Sequence, residues 1–240
     1  MKKTLSTILL LFCIQYLPAQ QFIKAGKIEF ERRTNQHSFL EEEDMFDAMI
    51  KESLPKFAVT YYDLIFDEGK SLFKEGREPE SRKIHWSINY LTNIVYQDLA
   101  NGYRVSQKSI FGSEYLIQDS LLKIDWKITN EPRTIAGFEC RKAVARIFDS
   151  VVVIAFYTDE IIPTSGPESF GGLPGMILGL AIPRLHTTWY ATKLEVMDNP
   201  GAIIPPKTGK KYEPIEFRKQ MTDVIRRNEW LKKIAWQTLI

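Results

Sequence analysis

Residues 138–158 read FECRKAVARIFDSVVVIAFYT, two runs rich in Val, Ile, Phe and Tyr on either side of Asp149-Ser150. β-branched and aromatic residues suit a pleated, half-buried surface, so the two runs predict a tight hairpin. Asp-Ser is a weaker turn pair than Asp-Gly, which leaves the turn type open. Outward from this hairpin the same period of two recurs. Ile28 and Phe30 alternate with Lys27, Glu29 and Glu31; Leu122, Ile124, Trp126 and Ile128 alternate with Lys123, Asp125 and Lys127. Tyr190, Thr192, Leu194 and Val196 alternate with Lys193 and Glu195. Alternation puts the apolar residues on one face of a sheet, the pattern of half-buried antiparallel strands.

Two segments depart from this rhythm. Over residues 38–54 the apolar positions Phe39, Met45, Phe46, Met49, Ile50 and Leu54 fall mostly three and four apart, behind the acids Glu41, Glu42, Glu43 and Asp44. This predicts an amphipathic helix with negative charge at the positive end of its dipole. Over residues 214–236, Phe217, Met221, Val224, Ile225, Leu231 and Ile234 mark a second helical face, opened by Pro214. Arg218, Lys219, Arg226, Arg227, Lys232 and Lys233 cover much of its remainder, either as a solvated basic face or as a surface for an anionic membrane or a partner. Turn-forming residues fill 76–83 and 198–211, neither of them long enough for a domain linker. With no internal repeat, the expected fold is a single α+β domain, mainly antiparallel sheet, with one helix in the N-terminal half and one at the C-terminus. By analogy with periplasmic lipoprotein carriers, the sheet is expected to be curved or a half-barrel.

Residues 1–19 place Lys2 and Lys3 before an apolar stretch that ends near Pro18-Ala19, the order of a secretory signal. Cleavage is expected after Ala19, leaving 20–240 as one domain of an exported protein, periplasmic, outer-membrane-associated or secreted. Cys13 follows Leu11-Phe12 rather than a small residue, which argues against a lipid anchor. The 32 basic and 30 acidic residues of the full chain become evenly matched once Lys2 and Lys3 are removed, so nucleic acid is not the expected partner. Nothing after the leader approaches a transmembrane span. Cys140 is then left alone and is expected to be buried and unpaired.

The most distinctive text is residues 166–179, GPESFGGLPGMILG. Gly166-Pro167 and Gly171-Gly172 offer two sharp turns, and Pro174 fixes one φ before Gly175. Leu173, Met176, Ile177, Leu178 and Leu180 supply an apolar edge. The segment reads either as a rigid sheet-capping loop or as a lip that contacts a ligand. It lacks the Lys-Ser/Thr of a phosphate loop and the setting of a dinucleotide fingerprint. Metal chemistry has little support, since His37, His85 and His186 make no helical zinc pair. No cofactor is expected. Ser165-Gly166 and Ser169 match no nucleophile elbow, and no catalytic residue is assigned.

Gly172, Leu173, Pro174, Gly175, Met176 and Ile177 resemble the name motif of the GLPGLI family of exported Bacteroidota proteins, with Met176 in place of Leu. The similarity extends to LIFDEGKSLF at 64–73, TNEPRTIAGFECRKA at 129–143, the FYTDEIIP run at 156–163 and TTWYATKLE at 187–195. That family has no established biochemical activity, so the resemblance implies membership without chemistry. The leading expectation is a non-enzymatic envelope protein that binds or carries a hydrophobic ligand or an outer-membrane partner. A structural or assembly accessory is the first alternative, and a hydrolase with its site assembled across strands the second. Ligand, partner and oligomeric state are not legible at this level.

Overall fold

In the computed structural model, which describes residues 22–40, 44–80, 84, 91–110, 112–148 and 150–227, the alternation at Lys27 becomes strand β1 (Gly26–Asn35). Ile28 and Phe30 are fully buried on one of its faces. The strands that follow are β2 (Phe57–Phe66), β3 (Lys70–Glu75), β4 (Leu91–Asp98), β5 (Tyr103–Ile110), β6 (Ser113–Ser120) and β7 (Lys127–Ile135). Then come β8 (Phe138–Ile147), β9 (Val151–Thr158), β10 (Met176–Ile182), β11 (Thr187–Val196) and β12 (Lys210–Tyr212). They form one 12-stranded sheet in the order β12-β6-β5-β4-β3-β2-β1-β11-β10-β9-β8-β7. Two runs of neighbouring hairpins, β2–β6 and β7–β10, are thus joined through the central β1–β11 pair. Among the described residues every pairing between these strands is antiparallel except β12 with β6, and an isolated parallel bridge joins Ile23 to Ile161. The mainly antiparallel α+β class holds, and the sheet is open, with β12 and β7 as edges rather than a closed barrel.

The expected hairpin is β8–β9, paired from Arg141↔Tyr157 to Ile147↔Val151. Phe148 turns the chain with φ +48, and Ser150 N donates to Phe148 O at 2.8 Å. Cys140 is buried and free, and burial pushes its thiol up to about 11.

Three expectations are corrected. Residues 122–126 are not a strand: β7 begins at Lys127, although Leu122, Ile124 and Trp126 keep the alternation as the half-buried positions. Ile124 and Trp126 pack against the core, but among the described residues no strand pairs with this backbone. In β11 the buried face is Thr187, Trp189 and Ala191, not Tyr190 and Thr192. Glu29 pairs with Lys193 and Phe30 with Ala191, so Thr192 is an extra, bulged residue, and one extra residue moves every later side chain to the opposite face. Finally, the 198–211 loop ends in β12, whose parallel pairing of Lys210 with Tyr115 no local pattern announces.

The N-terminal helix is shorter than its pattern. Helix α1 (Met45–Ser53) is capped by Asp44, whose side chain accepts from Phe46 N and Asp47 N. Phe39 lies outside it, in a 3-10 turn (Gln36–Phe39), and Glu41, Glu42 and Glu43 lie outside the described residues. Its apolar face is not buried: Met45, Phe46 and Met49 are 86%, 68% and 71% exposed. Helix α2 (Pro214–Arg227) buries Phe217 and Met221 against Ile110 and Ile117. Leu231, Lys232, Lys233, Ile234 and Trp236 lie outside the described residues. No helix among the described residues is long and apolar enough to cross a membrane.

Candidate functional site

The chain between β9 and β10, residues 159–175, turns inward across one face of the sheet. Ser165 and Phe170 are 0% exposed, Ser169 3% and Glu168 6%. Its backbone is tied to itself and to β10 by Gly172 N to Thr164 O at 3.1 Å, Met176 N to Ile161 O at 3.1 Å and Ile177 N to Ser165 O at 2.9 Å. Trp126 Nε1 reaches in from the half-buried 122–126 segment and donates to Gly171 O at 3.0 Å.

Side chains then stitch this loop to the far half of the sheet. Ser165 Oγ lies 2.7 Å from Ser71 Oγ on β3 and donates to Gln97 Oε1 on β4 at 3.1 Å. Asn93 Nδ2, also on β4, donates to Glu168 Oε2 at 2.8 Å. A carboxylate that is nearly buried must be hydrogen-bonded or paired, and Asn93 provides one such bond.

The signature residues fall into two groups in this arrangement. Gly166, Pro167, Gly171, Leu173, Gly175, Met176 and Ile177 are buried, while Gly172 and Pro174 reach the surface. Gly175 has φ +133, and a Cβ there would stand 2.0 Å from Thr158 O, so only glycine fits. Gly172 has φ +81 with open space around it, so its requirement is one of backbone conformation alone. Leu173, Met176 and Ile177 join the main core with Phe170, Tyr157 and Leu180. The loop therefore packs its apolar side chains into the main core of the sheet.

Beside the loop lies a small recess of about 30 Å³ that opens to solvent. Arg104, Ser106 and Lys108 of β5 line it with Ile117 and Asp119 of β6, Ser169 of the loop, and Pro214, Phe217 and Arg218 of α2. Arg104 Nη2 pairs with Asp119 Oδ2 at 3.2 Å. Lys108 is 7% exposed; burial pulls its ammonium down to about 8, with Glu168 opposing that shift and Arg104 adding to it.

None of these recess residues was singled out from the sequence except Ser169, Pro214, Phe217 and Arg218. The available signal was weak. Arg104, Ser106 and Lys108 alternate with Val105 and Gln107, which reads as a solvent-facing polar row until α2 and the loop cover it.

Serine chemistry finds no partner of the usual kind here, since Ser165 bonds to Ser71 and Gln97. Of the histidines, His37 Nε2 contacts Leu54 O at 2.9 Å and His186 has φ +49 in a turn; His85 and Trp86 lie outside the described residues. No group of three His, Cys, Asp or Glu placed to hold a metal occurs among the described residues.

A family model described as a protein of unknown function (Porph_ging) matches residues 145–179, spanning the end of β8, β9, the buried loop and the start of β10. No curated protein matches the sequence. Among solved structures the chain is similar to PNGF-II in the P21 space group, with 13% identity and a TM-score of 0.54, covering 82% of this chain and 32% of that one. PNGF-II in the C2 space group matches at 14% identity with the same TM-score and coverage. The chain thus spans about a third of the length of those proteins, and identity this low speaks for the fold alone. Even so, the likeness corrects the expectation of a protein that is not an enzyme: a fold shared, distantly and in part, with an enzyme fold gives no ground for setting catalysis aside.

Proposed function

We propose that this chain is an exported envelope protein of the GLPGLI kind that serves as a structural or assembly accessory, with its signature loop as a buried element of the fold. The observation that carries this reading is the packed space inside the sheet. Phe170, Met176 and Ile177 are 0% exposed and Leu173 1%, so the signature's own side chains sit in the main core instead of bordering an open apolar cavity. The concavity beside them is lined by Arg104, Lys108, Asp119 and Arg218, a poor host for a lipid tail. This supports the accessory over the hydrophobic carrier. Native mass spectrometry of the protein purified from its own envelope tests it: the expected species are the polypeptide alone or with a protein partner. A stoichiometric lipid in the spectrum would overturn it.

The second reading, a hydrolase, is favoured by the likeness to PNGF-II. It expects release of product from amide or ester substrates by the purified chain, abolished by a substitution in the recess. Turnover that survives substitution of both Lys108 and Asp119 would place any such activity elsewhere.

A further inference from the structure

The recess between α2, β5 and β6 is lined by an almost wholly buried lysine, Lys108. A lysine that is 7% exposed loses hydration, and folded proteins ordinarily offset this with an ion pair or hydrogen bonds. Among the described residues Lys108 has no ion pair within 4.0 Å; its nearest compensation is the longer-range field of Glu168, whose carboxylate is already bonded by Asn93. The other cations around the recess are placed to act with it. Arg104 is held by Asp119, so its guanidinium is oriented, and Arg218 comes from the exposed side of α2. Pro214 opens α2 at the same recess and brings the positive end of the helix dipole to it. Ser106 and Ser169, 4% and 3% exposed, place hydroxyls on the lining. Three cations and two carboxylates leave an excess of one positive charge.

We propose that this recess binds a phosphate- or sulfate-type oxyanion, with Lys108 as the buried counter-charge, Arg104 and Arg218 as the flanking cations, and the serine hydroxyls as donors. A tetrahedral oxyanion matches the set because it accepts several hydrogen bonds at once and tolerates the mixture of ammonium, guanidinium and hydroxyl donors. Asp119 limits the charge the site accepts and keeps Arg104 in place. The inference does not depend on the accessory reading, since a scaffold, a binding module or an enzyme could each hold such a group.

The test is calorimetric titration of the full chain with inorganic phosphate and with sulfate near neutral pH. Saturable binding is expected, weakened about tenfold or more in Lys108→Met and less in Arg218→Gln, whereas Asp119→Asn, which removes a competing negative charge, tightens it. Lys108→Met replaces a buried amine by an apolar chain of similar length, and unchanged circular dichroism establishes that it is folded. Affinity should also fall as the pH rises through about 8, where the amine facing Glu168, Arg104, Asp119 and Arg218 loses its proton. A parallel arm uses vesicles with and without a phosphate-bearing lipid. Retention that depends on Lys108 identifies a lipid headgroup as the source of the same oxyanion and supports the site. Absence of saturable binding in both arms, or binding that Lys108→Met leaves unchanged, overturns it.

Discussion

The signature loop and helix α1 make opposite use of apolar residues. In α1, Met45, Phe46 and Met49 recur at helical spacing and Asp44 caps the first turn, yet all three side chains stand in solvent. In the loop, no period is legible, yet Leu173, Met176 and Ile177 are at most 1% exposed. Periodicity reports what backbone a segment can form. Burial reports whether another part of the chain reaches it, and for the loop the reach comes from Ser71, Gln97 and Asn93, far away in sequence.

The sharpest way to break this comparison is Gly175→Ala. The new Cβ would overlap Thr158 O at 2.0 Å in a backbone with φ +133, and a loss of roughly 5 kcal/mol or more is expected. That is enough to prevent folding in a domain of ordinary stability. A soluble variant with an unchanged melting midpoint would mean that the loop does not take this course. Leu173→Ala and Ile177→Ala remove fully buried side chains and should each cost about 2–5 kcal/mol, read as a drop in the denaturation midpoint.

A smaller effect concerns the recess between loop and α2. The Lys108 ammonium is held below its ordinary value, so over the window from about 8 to 10.5 the unfolded chain binds more protons than the folded one. The stability contribution of this group is therefore least below pH 8, where the charge is buried, and rises towards 10.5. Lys108→Met removes that rise, and the difference between parent and variant melts across the window should be on the order of 3 kcal/mol. Parallel curves for the two proteins would show that the amine is better hydrated than its position implies.

Next comes Ser165→Ala, which takes one hydrogen-bond partner from Ser71 and one from Gln97 and should cost about 1–2 kcal/mol. The smallest effect belongs to α1: Phe46→Ser and Met49→Ser are expected to move stability by about 0.5 kcal/mol or less, because each side chain is already in water. A loss of several kcal/mol from either would show that the helix is covered in solution and would undo the contrast with the loop.

Much of the architecture was legible because strand alternation is a local property. The hairpin of β8 and β9, the buried face of β1 and the buried Cys140 all follow from residues a few positions apart. The candidate site was only partly legible. The need for glycine at Gly172 and Gly175 follows from turn chemistry, while the surroundings of the loop do not. Nothing near Arg104 or Lys108 indicates that a polar row on β5 ends up beneath a helix some hundred residues later.

By itself, then, the sequence determined that β1, β8 and β9 extend, that the segments of α1 and α2 coil, and that the turns at Gly172 and Gly175 call for glycine, since these depend on sterics and on the spacing of apolar side chains within a few residues. Only the tertiary structure decided that Thr192 bulges and reverses the buried face of β11, that Lys210 pairs in parallel with Tyr115, and that the signature closes inward. Each of these turns on a partner distant in the chain. A hydrogen bond or a buried contact exists only when both of its halves are present, and one segment read alone contains one half.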